Sequence, residues 1–113
     1  MNFYDKVHEF VRSFKDTEEY KNFLGLKKKI SEDDKTYSMV KEFKAKQNTY
    51  QMEYINTGKM NEESSKELQN LYSILVQNED VRILFENEMK LDIMLADMQK
   101  ILAEGIKEIV EFK

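Results

Sequence analysis

Cysteine, proline and tryptophan are absent from this sequence, glycine occurs three times and histidine once. Each scarcity excludes something. Without cysteine the chain can form no disulfide and no cysteine-ligated zinc or iron–sulfur site. An all-β domain needs turn residues far more often than three glycines and no prolines supply, so the composition favours helices. The single histidine, His8, leaves Ser–His and Cys–His catalysis without support. It also falls short of the two Glu-x-x-His pairs of a di-metal helical bundle. Asp5 and His8 in "DKVH" stand one helical turn apart, but a metal site needs more ligands, and His8 reads as a solvated or capping residue. No "GxxxxGK[ST]" or "GxGxxG" loop is present to cradle a phosphate. The carboxylates of "NEESS" and "EIVE" read as solvated helix faces, because an acid–base pair needs burial to separate its pKa values. The sequence therefore leads us to expect no catalytic residue, no cofactor and no metal. No run approaches the roughly 18 apolar residues of a membrane-spanning helix. The segment "MNFYDKVHEF" has acidic residues and helical spacing in place of an apolar signal core. The expectation is a soluble, cytoplasmic, non-enzymatic protein.

What is present is a highly charged yet strongly patterned chain. Its 113 residues fit one domain, 1–113, with 41% hydrophobic and 35% charged residues. The formal net charge is −4. Residues 1–57 hold 11 Lys/Arg against 10 Asp/Glu, and residues 58–113 hold 7 against 12. A long nucleic-acid-binding surface carries a strong basic excess, which is missing here. The best local case is Lys27–Lys29 with Lys41, Lys44 and Lys46 beside Tyr37 and Tyr50, since aromatic rings stack on bases and lysines neutralise phosphates. Against it, the tyrosines share an apolar face and the lysines are balanced by "SEDD" and Glu42.

Apolar spacing predicts five helices. The first covers 2–14, with Phe3, Val7, Phe10, Val11 and Phe14 on one face and Asn2 as its N-cap. The second follows "KDTEE", capped by Asp16 or Thr17, with Tyr20, Phe23, Leu24, Leu26 and Ile30 on its apolar face and Lys27–Lys29 at its negative end. The third, 35–57, is capped by Asp33 or Asp34 and carries the stripe Tyr37, Val40, Phe43, Gln47, Tyr50 and Tyr54. Gly58 closes it in the left-handed conformation, and Asn61 caps the fourth helix, 62–77. The fifth covers 80–111. Such short links predict an all-α antiparallel bundle whose long C-terminal helix serves oligomerisation.

A heptad set on the fifth helix with Val81 at a places Glu88, Leu95, Leu102 and Ile109 at a, and Leu84, Leu91, Met98, Gly105 and Phe112 at d. Met94 and Ile101 fall at g, Phe85 and Ile106 at e. That stripe is wider than a two-stranded seam, so the helix should touch more than one neighbour. About 30 residues at 1.5 Å each make a rod of roughly 45 Å. A globule of this chain length is only some 35 Å across, from a radius of gyration of about 13 Å. A straight helix would overshoot, and the overshooting part is apolar. The expected interface between copies is therefore Leu91, Met94, Leu95, Met98, Ile101, Leu102, Ile106 and Ile109. A bend at Gly105 would shorten the overhang.

The order of features resembles a known family. A short aromatic helix leads to "TEEYKNFLGLKKKISEDD", then to "MVKEFKAKQNTYQ", the turn "TGKMNEE", and a long helix through "LFENEMKLDIMLADMQKIL" to "IKEIV". This is similar, over nearly the whole chain, to the YlbF/YmcA-like family of small helical bacterial proteins, in the style of its YheA-like branch. The resemblance implies an all-α homo-oligomer, a dimer or tetramer built through the long helix, without catalysis. It also implies a regulatory or adaptor role through protein–protein interaction. Better-known members affect competence, biofilm formation and sporulation, some in a complex linked to the messenger-RNA-cleaving ribonuclease. The cysteines that bind iron–sulfur clusters in some members have no counterpart here, so that cofactor is not carried over. The competing expectation is a structural or nucleic-acid-associated helical protein with no regulatory partner.

Overall fold

A computed structural model describes residues 2–112. Five α-helices follow one another, with no strand among those residues: α1 (Phe3–Lys15), α2 (Glu18–Ser31), α3 (Asp34–Thr57), α4 (Glu62–Leu75) and α5 (Glu79–Gly105). A 3₁₀ turn, Lys107–Ile109, comes after α5.

Side-chain caps set the helix starts. The Asn2 side chain accepts from the Asp5 N–H at 2.9 Å, and the Asp5 carboxylate accepts from the Asn2 N–H at 3.4 Å, a reciprocal capping box. The Thr17 hydroxyl donates to the Phe14 carbonyl at 2.8 Å and accepts from the Tyr20 N–H at 3.3 Å, ending α1 and opening α2 together. Asp33 accepts from the Thr36 N–H at 3.3 Å and the Thr36 hydroxyl at 3.0 Å. Asn61 accepts from the Ser64 N–H at 3.1 Å, and Asn78 from the Val81 N–H at 3.2 Å. Each uses a short polar side chain to satisfy an amide that the helix leaves without a partner. At the far end of α3, Gly58 takes φ 70° and donates to the Tyr54 carbonyl at 2.8 Å. Only glycine adopts that conformation without a steric penalty.

The chain divides into two compact units, Leu24–Leu84 and Met1–Phe23 with Phe85–Lys113. In the first, Ile30, Val40, Phe43, Leu75, Val81 and Leu84 are buried, Val81 completely. Its most extensive helix pairing is α3 with α4. The pair is antiparallel: Phe43 meets Tyr72 with ring centroids 6.1 Å apart, and further along α3 Lys46 pairs with Glu67, earlier on α4. Lys46 also holds Glu42 at 3.2 Å, and hydrogen bonds to both carboxylates push its ammonium above the usual lysine range. Lys29 reaches Asp80 at 3.1 Å, tying the end of α2 to the start of α5.

In the second unit Phe85 and Leu91 are the buried apolar residues. No residue of α1 is buried. Its stripe Phe3, Val7, Phe10 and Val11 is present as the spacing predicts, yet all four are exposed. Phe14 is half-buried, with its ring edge-on to Tyr20 at 5.6 Å.

The largest departure from the expected helix boundaries is at the C-terminal end. The fifth helix stops at Gly105 and does not continue to 111. Ile106 takes φ −125° and ψ 24°, outside the helical region, so Ile106 and Ile109 leave the heptad register assigned to them. Glycine is the poorest helix former after proline. The α5 rod is accordingly 27 residues, or about 40 Å at 1.5 Å per residue. The fourth helix also ends earlier than expected, at Leu75.

Three outcomes follow. Phe43→Ala and Leu75→Ala empty buried space and should each lower unfolding free energy by about 2–5 kcal/mol in urea titrations, whereas the exposed Ile93→Ala should stay within about 0.5 kcal/mol. A Cβ at Gly105 would meet nothing within 4 Å, so Gly105→Ala should raise helicity by circular dichroism, while Gly58→Ala should destabilise because alanine is strained at positive φ. Hydrogen bonds from the Thr36 N–H and hydroxyl hold the Asp33 carboxyl below the usual aspartate range. A folded pKa lower than the unfolded one gives stability that is fully present above the unfolded aspartate pKa and is lost as pH falls through the lowered folded pKa. The acid limb of a stability–pH curve should therefore flatten in Asp33→Asn, which keeps a capping oxygen but does not titrate.

Candidate functional site

The most distinctive surface within a single unit lies where α1 and α5 flank an open, mostly apolar groove. Its volume is about 510 Å³, and Phe10 and Phe14 of α1 face Met94, Met98, Ile101 and Leu102 of α5 across it. Ser13, Thr17 and Asp97 supply its polar edge. The helical repeat explains the α5 contribution, because Met94, Met98, Ile101 and Leu102 are spaced by three and four residues and so share one face. Met94 and Met98 are half-buried, while Ile101 is 71% and Leu102 56% exposed. Methionine's flexible, polarisable side chain suits a surface that adapts to what covers it.

The polar chemistry around this groove is sparse. His8 is exposed, and no cluster of three or more His, Asp or Glu side chains suited to a metal ion occurs among the described residues. No helix among them is long and apolar enough to cross a membrane. Two cations of the candidate nucleic-acid face are already engaged: Lys29 by Asp80, and Lys46 by Glu42 and Glu67. The arrangement offers an area for apolar contact rather than a constellation of reacting groups.

Residues 3–107 match the family described as "Control of competence regulator ComK, YlbF/YmcA". The chain belongs to that family. A UPF0342 protein of Caldicellulosiruptor saccharolyticus is 34% identical over 93% of this chain and 88% of its own length. One from Clostridium tetani is 32% identical over 100% of this chain and 97% of its own. One from Symbiobacterium thermophilum is 30% identical over 91% and 92%. These names state no activity. No solved structure matches the chain significantly.

In this YlbF/YmcA-family chain the eight residues expected at an interface do not share one environment. Met94, Met98, Ile101 and Leu102 line the groove. Leu95 is exposed and does not line the groove. Leu91 is only 8% exposed and is already covered within the chain. Ile106 and Ile109 are exposed but lie beyond the end of α5. The spacing of α5 did not reveal Phe10 and Phe14 as the opposite wall. The available signal was α1 itself, whose stripe of five apolar residues on 13 positions leaves none of them buried.

Proposed function

We propose that this protein is a non-enzymatic regulatory adaptor of the cytoplasm that acts through protein–protein contact and self-associates through the α1–α5 groove. The observation that carries this reading is the groove: a continuous apolar surface on two helices that no part of its own unit covers. Contiguous apolar surface of this kind is rare on monomeric proteins and marks association sites. The occupant is a second copy, docked against Met94, Met98, Ile101 and Leu102. Family membership supports the regulatory part, since the family is described by control of the competence regulator ComK. Roles in competence, biofilm formation or sporulation, and a link to RNA turnover, are the corresponding biological settings. The absence of a basic excess and the engagement of Lys29 and Lys46 in ion pairs weigh against direct nucleic-acid binding.

The test is Leu102→Glu, which sets a charge in the groove at an exposed position and so spares the fold. The native mass should fall to a smaller multiple of the chain, and the melting temperature should lose its dependence on protein concentration. An unchanged mass and an unchanged melting curve would remove the self-association reading.

A further inference from the structure

The first helix carries an apolar face of its own, separate from the α5 groove. Side chains four apart on a helix form rows along its surface, and α1 sorts into four of them. One row is Phe3, Val7, Val11 and Lys15. It is bordered on one side by Lys6, Phe10 and Phe14, and on the other by Tyr4, His8 and Arg12. The fourth row, on the opposite side of the helix, is Asp5, Glu9 and Ser13. The apolar side chains therefore share one side. The three cations Lys6, Arg12 and Lys15 lie within or beside that side, and the two acids Asp5 and Glu9 lie on the far one. Phe3 is 71% and Tyr4 69% exposed, and Val7, Phe10 and Val11 are exposed as well. Of the apolar residues of α1, only Phe10 and Phe14 also line the groove.

We infer that α1 is a membrane-surface helix, which lies in the headgroup layer of an anionic phospholipid bilayer with Phe3, Tyr4, Val7 and Val11 toward the acyl chains. No helix among the described residues can cross a membrane. Lying on one takes only a strongly amphipathic segment with cations on its polar side. The placement of charge selects the lipid surface as the partner. Lysine and arginine at the borders of the face can lay their stems on lipid and raise their charged ends to the phosphates. Asp5 and Glu9 then stay in water, away from like charge. The Lys6–Glu9 pair, 3.5 Å apart, is exposed on both partners, and such a pair is too weak to withdraw Lys6 from a phosphate layer. A groove on another protein would use the apolar anchors but would set no rule for where the acids lie. Tyr4 fits the same reading, because an amphipathic ring settles at the membrane–water boundary. The net charge of −4 does not govern this approach, since exposed charges are screened beyond about 8 Å at physiological ionic strength. The helix is also preformed. The Asn2–Asp5 capping box closes its first turn, so binding does not bear the cost of ordering it. Its 13 residues span about 20 Å, which makes the contact weak and reversible. None of this depends on what fills the groove.

The chain has no tryptophan, so Tyr4→Trp places a single fluorescent reporter in the face. Titrated with vesicles of equal parts phosphatidylglycerol and phosphatidylcholine, the full chain carrying Tyr4→Trp should shift its emission to the blue, and the unaltered chain should co-sediment with the same vesicles. Val7→Asp, at an exposed position that spares the fold, should weaken that partitioning about tenfold or more. Lys15→Gln should weaken it roughly fivefold, and Glu9→Gln, on the far row, should not weaken it. Absence of both the shift and co-sedimentation would overturn the inference and leave α1 to a protein partner. Binding that Val7→Asp and Lys15→Gln leave unchanged would overturn it too, by putting the lipid contact elsewhere on the chain. So would equal binding to vesicles of phosphatidylcholine alone.

Discussion

The burial of Phe43 against α4 is the contact on which the larger unit depends. α3 is 24 residues long, and its stripe runs nearly from end to end. A helix draws most of its stability from packing that stripe, not from propensity. Phe43 on Tyr72 fixes the pairing of the two helices, and the Lys46–Glu67 pair and the Gly58 turn keep the same register toward the tip. The ion pair adds little by itself, because both side chains are solvated. The ring contact and the surrounding buried aliphatics decide whether the hairpin forms.

The same constraint has a converse. A stripe that outlasts its cover leaves apolar surface in water, at about 25 cal/mol for every Å² that could have been buried. This chain does so twice. α3 passes beyond its covered half at Tyr54, and α5 passes beyond Leu91 to present Ile101 and Leu102 beside an α1 with no buried residue. Small helical chains bury too little surface to leave such faces idle without a loss of solubility, and association is the usual remedy.

Much of this architecture was legible in the sequence, and the reasons it was not all legible are physical. Asn2, Asp33, Gly58 and Asn61 mark helix ends through local hydrogen bonding and backbone freedom, which sequence encodes directly, and each sits where its chemistry requires. The stripes were equally readable, since a three-and-four repeat has one geometric meaning. Which parts of a stripe are covered is a tertiary fact. Val40 and Tyr54 follow the same spacing rule, yet one is buried and the other half open. Leu91 and Ile101 differ in the same way on α5. The end of α5 turned on competition between the apolar repeat, which continues to Ile109, and the low helix propensity of Gly105, and the glycine prevailed. The opposite wall of the groove, Phe10 and Phe14, came from a helix whose stripe resembled ordinary core.

The central proposal is that the apolar groove between α1 and α5 is closed by a second copy of the chain. Sedimentation equilibrium of the purified protein across a wide concentration range tests it most directly. Self-association through the groove predicts a mass that is a small multiple of the 13.6 kDa chain. A mass of one chain at every concentration would contradict it.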